Sequence, residues 1–128
     1  MDDLQRVIDD AKPMLEQFLI DAGFQQAGYP LDFPRLLDPF SRWLAAQALT
    51  EDDHSFLAAR LGAFICEYLI AVHSGQRVIE RGRILMRVQI QEEVLREFDP
   101  YEVAIGLVTN RNNLETFLNT LCGGQYSP

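Results

Sequence analysis

Cysteine is scarce in this sequence, and what there is forms no motif. Cys66 lies inside an apolar segment and Cys122 near the C-terminus, with no C-x-x-C pair, so the spacings that bind zinc or run thiol redox chemistry are missing. A Gly-rich phosphate loop, a nucleophile motif and a cluster of metal ligands are missing too, and no cofactor is expected. Positive charge is the next scarcity. Eleven Lys and Arg stand against nineteen Asp and Glu, for a net charge of −8. Such a field repels phosphate backbones and anionic bilayers, which argues against nucleic-acid and membrane partners and favours basic proteins. The opening MDDLQRVIDD has neither a basic n-region nor an apolar h-region, so no secretory signal is expected. The longest apolar stretch, Phe56 to Val72, contains Arg60 and Glu67 and is slightly short for a membrane span. A cytoplasmic, reduced protein is the expectation.

A chain of 128 residues with 48% hydrophobic and 23% charged residues has the composition of one globular domain, residues 1–128. Its acidity is uneven. Residues 1–55 hold eleven acids against four bases, whereas residues 56–128 hold eight against seven. The simplest use of that excess is solubility. No internal repeat or low-complexity tract is visible.

Leu4, Val7, Ile8, Ala11, Leu15, Phe18, Leu19 and Ala22 recur at helical spacing from an acidic start, which predicts an amphipathic helix ending near Gly23. Pro13 should kink it or restart it. The loop QQAGYPLDFP leads to a second helical stretch, RLLDPFSRWLAAQAL, starting either at Asp38-Pro39 or earlier, in phase with Leu36 and Leu37. Thr50 and Asp53 approximate a capping box ahead of a long third helix, with Gly75 as its expected left-handed C-cap. From Gln76 onward the period changes. Ile84, Met86, Val88 and Ile90 alternate with Leu85, Arg87 and Gln89; with RVIER before and VLREF after, they predict a three-stranded antiparallel meander. Asp99-Pro100 starts a fourth helix, and Asn112 with Glu115 starts a fifth, closed by Gly123-Gly124. The expected fold is α+β, in the order α-α-α-β-β-β-α-α.

The third helix should be its centre. Leu57, Leu61, Phe64, Ile65, Tyr68 and Val72 form a core-facing stripe, while Ala59, Gly62, Cys66 and Ile70 make a second apolar side where another backbone approaches Gly62. Cys66 and His73 share that side but stand two turns apart, too far to hold one metal by themselves. A buried thiol and a helix-end histidine is the simpler reading. Glu67 differs. With Arg60 it is one of two charges between Phe56 and Val72, so it must be paired, hydrogen-bonded or shifted in pKa. Pairing with Arg60 or a meander arginine is the expected arrangement, and a carboxylate at a pocket or interface is the functional alternative.

The segment LGAFICEYL resembles the L-G-x-Y-L-G-E-x-L helix of a family of small, poorly characterised bacterial proteins, in which a segment like LDFPRLLDPFSRWL precedes and a hairpin and a D-P helix start follow. The likeness covers about residues 31–110, with the motif on Leu61, Gly62, Phe64, Ile65 and Glu67; Cys66 replaces its second glycine. It implies the fold and no reaction. Some small acidic proteins of that type act as immunity or accessory partners.

Arg77, Arg81, Arg83, Arg87 and Arg96 fall within twenty residues, and an arginine cluster on one face can fork carboxylates or phosphates. Cross-strand pairing with Glu80, Glu92, Glu93 and Glu97 is the commoner outcome. Arg83, Leu85 and Arg87 share the outward side of the central strand, an apolar centre flanked by arginines that suits a contact surface, including one with a second copy of the chain. Two functional expectations follow. The first is a non-catalytic protein-binding domain, of which an immunity protein against a basic toxin is the most concrete version. The second is a small ligand-binding protein or enzyme with Glu67 in a pocket beside the meander arginines. The site residues are Glu67, Arg60, Arg83, Leu85 and Arg87.

Overall fold

A computed structural model describes residues 3–46, 51–91, 94–110 and 113–123. Helices α1 (Asp3–Asp21), α2 (Phe33–Ala46) and α3 (Glu51–His73) come first, then strands β1 (Gln76–Glu80), β2 (Arg83–Gln91) and β3 (Val94–Phe98), then α4 (Pro100–Asn110) and α5 (Leu114–Gly123). This is the expected α+β order.

Pro13 leaves α1 unbroken. The helix closes as a Schellman motif: Gly23, at φ 89°, donates to the Ile20 carbonyl (3.1 Å) and Phe24 donates to the Leu19 carbonyl (2.9 Å). α2 takes the earlier of its two starts. Asp32 is the N-cap, its carbonyl accepting from Arg35 and Leu36 at 3.1 and 3.0 Å, which leaves Pro39 inside the helix. Asp99 caps α4 as expected, its Oδ1 accepting from the Tyr101 and Glu102 amides at 2.9 and 3.0 Å. The cap of α5 is Asn113, whose Oδ1 accepts from the Thr116 amide at 2.9 Å. Thr50, Glu92, Glu93, Asn112, Gly124 and the side chains of Ile90 and Cys122 lie outside what is described.

The sheet is an antiparallel meander in the order β1-β2-β3. Arg81 and Gly82 form its first turn, both with positive φ (52° and 74°) between the facing residues Glu80 and Arg83, the signature of a type I′ hairpin. Ile84, Met86 and Val88 are buried beneath the helices, as alternation requires. Arg77 faces Met86 across the ladder and so points inward with it. The other face carries Val78, Leu85, Arg87 and Leu95, none of them buried.

α3 packs against α1, α2, α4, β1 and β2. Residues 61–69 are all buried. Phe40 meets Phe64 at 4.7 Å between ring centroids and Phe33 meets it at 5.4 Å, while Phe18 and Phe24 pack on Phe40 and Trp43. Three details depart from expectation. Val72 is 36% exposed, because the last turn of α3 projects past its neighbours and leaves residues 70–72 uncovered. Ala59 on the second side is exposed as well. The left-handed residue after α3 is Ser74 (φ 56°), not Gly75; Gly75 instead admits the Met86 methyl, which a Cβ there would approach to 2.9 Å. By length and composition Asp53–His73 meets the requirement for a membrane span, and the burial of its middle is what a core helix shows.

The left-handed conformation of Arg81 costs a side chain about 1–2 kcal/mol, which Asn largely avoids. Arg81→Asn should therefore raise stability by up to about 1 kcal/mol, seen as a higher thermal midpoint in calorimetry.

Candidate functional site

Glu67 is on the side of α3 that faces β1. It is 8% exposed and forms an ion pair with Arg77, whose guanidinium Nη2 donates to Oε2. Both side chains are close to nine-tenths buried, at 10% and 11% exposure. The Cys66 thiol, next to Glu67 on α3, lies within the electrostatic reach of Arg77, whose buried Nε finds no partner among the described atoms. Burial alone would lower the Arg77 pKa, but the hydrogen bond and charge of Glu67 outweigh it and the net direction is upward. Burial pushes the Cys66 thiol from 9.0 to about 11 against the pull of Arg77. At neutral pH Cys66 is a protonated, inaccessible thiol, the opposite of a nucleophile.

Tyr101, in the first turn of α4, closes this cluster. Its ring lies on Gly62, where a Cβ would collide with the ring Cδ1. The close neighbour expected at Gly62 is thus an aromatic ring and not a second backbone. Burial raises the Tyr101 hydroxyl from 10.0 to about 12, with smaller contributions from Cys66, Arg77, Glu67 and Asp99.

The other sequence-derived site residues do not join this cluster. Arg60 sits with its guanidinium carbon 4.7 Å from the centroid of the Phe56 ring, a cation–π contact. Arg83 reaches Asp99 and Glu102, each at 3.3 Å, and thereby ties the start of β2 to the N-terminus of α4. Arg87 bridges Glu80 on β1 and Glu97 on β3. Leu85 is half-buried beside Val78 on the outer face. Each of these guanidiniums is therefore engaged within the fold. Among the described residues no three His, Cys, Asp or Glu side chains converge to hold a metal.

The outer side of Tyr101 was not anticipated from the sequence. A cleft of about 300 Å³ between Tyr101, Ile105 and His54, one of about 280 Å³ between Tyr101, Val7 and Met14, and one of about 290 Å³ toward Asp99 and Arg83 all meet at this ring. Val7, Met14 and Ile105 stand 44%, 46% and 56% exposed along them, so the helical spacing that made Val7 a core residue was misleading. Gly62 was the available signal, since a glycine inside a buried helix face marks where something bulky must fit. Glu67 does not line these clefts. No protein-family model, no curated protein and no solved structure matches the chain.

Glu67→Gln leaves Arg77 as an uncompensated buried cation and should cost about 3–5 kcal/mol in denaturant unfolding, whereas the double change Glu67→Leu with Arg77→Met should recover most of that loss. Alkaline titration gives a second check. Cys66 and Tyr101 are acids whose pKa values are raised on folding, so the unfolded chain loses their protons first and stability falls as pH rises. The thermal midpoint should drop from pH 9.0 toward about 11 through Cys66, and from 10.0 toward about 12 through Tyr101. Cys66→Ala should flatten the first part and Tyr101→Phe the second.

Proposed function

We propose that the chain is a non-catalytic protein-binding domain of a bacterial cytoplasm that engages a basic partner protein, with an immunity or accessory protein as its most concrete form. One observation carries this reading: Glu67 and the meander arginines Arg77, Arg83 and Arg87 are paired within the fold itself. Glu67 holds Arg77, Arg83 holds Asp99 and Glu102, and Arg87 holds Glu80 and Glu97. The carboxylate that would serve a reaction is thus shut away with its counter-ion, and the thiol beside it stays protonated. What remains for an outside molecule is the acidic excess of residues 1–55, eleven acids against four bases. Acidic surfaces of this kind steer basic partners and add specificity more than raw affinity.

The ligand-binding alternative asks for a Glu67 open to a pocket, and the ion pair with Arg77 weighs against it. The test is recovery of the tagged full chain from source cells after crosslinking, followed by identification of what comes with it. A reproducible basic protein should be captured, and the uncrosslinked complex should weaken at least tenfold between about 0.05 M and about 0.5 M salt as surface charges are screened. In the immunity form, that protein is a toxin that the chain inhibits. A chain that crosslinks to nothing but binds or turns over a metabolite would defeat the reading.

A further inference from the structure

We infer that the groove along α1, α3 and α4 receives an amphipathic helix with basic flanks, presented by the partner protein; the inference rests on the protein-binding reading above. Its geometry comes from α1. Leu4, Val7, Ala11, Met14 and Phe18 follow at alternating intervals of three and four, the seam spacing of a helix that meets another helix. Ala11 is buried against α3, but Val7 and Met14 in the same row are nearly half exposed, so the seam is only partly covered by the chain's own core. Opposite them the floor is Ala59, Tyr101 and Ile105, two of which project from α4.

The clefts adjoin one another end to end. The opening at Leu4 shares Val7 and Tyr101 with the middle one, and the middle one shares Met14 and Arg60 with a further cleft that ends at Asp21 and Phe56. From Leu4 to Asp21 the rim runs about 26 Å at 1.5 Å per residue, the length of a helix of about 17 residues. Of the eight exposed large hydrophobic side chains among the described residues, four line this path: Val7, Met14, Phe56 and Ile105. A row of apolar knobs of that length suits a helix better than a compact small molecule.

Charge selects the sign. Asp3, Asp10 and Asp21 follow one edge of the Leu4–Phe18 row against Arg6, while of the other cleft-lining arginines Arg60 is drawn over Phe56 and Arg83 is held by Asp99 and Glu102. A second copy of the chain carries the same acidic edge and another net charge of −8, so self-association is opposed and a basic helix favoured.

The experiment is fluorescence anisotropy of the full chain with three labelled peptides of about 18 residues: an amphipathic Leu/Lys helix, the same composition in scrambled order, and an amphipathic Leu/Glu helix. The first should bind at least tenfold more tightly than either other. Met14→Glu and Ile105→Glu lie at exposed positions and add negative charge, so plain electrostatics would strengthen binding of the Leu/Lys helix; the groove assignment requires each to weaken it at least tenfold, with Leu95→Glu on the sheet leaving it unchanged. Circular dichroism and the thermal midpoint select the variants that remain folded, and either groove variant alone decides. Unchanged or tighter binding by the folded variant, or equal binding of the scrambled peptide, overturns the inference. So does a dimer in sedimentation that Met14→Glu dissociates, since the occupant would then be a second copy. Photo-crosslinking in source cells separates this failure from that of the parent reading. A partner captured from position 95 and not from position 14 sinks the groove and keeps the protein-binding reading, while capture from neither sinks both.

Discussion

A glutamate on the most buried helix obliges the fold to bring a cation to it, and the pair formed by Glu67 and Arg77 is the constraint around which the two halves of the chain are arranged. Burying an ion costs several kcal/mol even after relaxation, and the attraction between partners offsets this only when geometry is good. The geometry here depends on sheet register. Arg77 reaches α3 because it faces Met86 on the inner side of the meander; a slip of one residue between β1 and β2 would turn it to solvent and leave Glu67 alone. The two-residue turn at Arg81-Gly82 sets that register, so a strained turn on the surface and an ion pair in the interior specify the same pairing. The pair is thus weak support for stability as such, and strong selection against misaligned strands.

α3 tolerates this charge because its two sides are packed differently. One side meets the aromatic group of Phe33, Phe40 and Phe64, where large rings fill the space between helices. The other side offers Gly62 and Cys66, small enough for β1 and the Tyr101 ring to come close. A helix apolar on both sides reads by hydropathy like a membrane span, and here the cause is double packing.

The periodicities that the sequence displays are those the backbone obeys: the helices and strands of the α+β order each follow from a local signal, including Asp99-Pro100 and the Gly23 cap. That Glu67 must be paired was also legible, because a lone carboxylate in an apolar helix has few other options. Which arginine answers it was not. The run RVIER begins with Arg77, but whether Arg77 points in or out depends on the turn that joins β1 to β2, and Gly82 alone does not say how many residues that turn holds. Exposure failed for the same reason. Val7 and Val72 obey a helical period, yet burial requires a neighbour, and α4, which borders the groove, arrives in the sequence about ninety residues after Val7. Long-range facts of this kind are absent from any local pattern. The arginine cluster misled in the opposite sense: five arginines in one segment look like a surface for binding, while for Arg77, Arg83 and Arg87 the acids that occupy them stand on other elements or across the ladder.

The strength of the central pair depends on how far water is kept from it, and that depends on Tyr101. Charges attract several times more strongly in a protein environment than in water, and the ring on Gly62 lies between the clefts and the cluster of Cys66, Glu67 and Arg77. Its position follows from the first turn of α4, which Asp99 fixes through two amide hydrogen bonds while its other oxygen accepts from Arg83. Arg83 is half exposed, and an exposed ion pair contributes at most about 1 kcal/mol directly. Its larger effect is indirect. By holding the cap residue it holds the ring, and by holding the ring it keeps Glu67 and Arg77 in the low-dielectric setting without which their pairing would be no stronger than one at the surface.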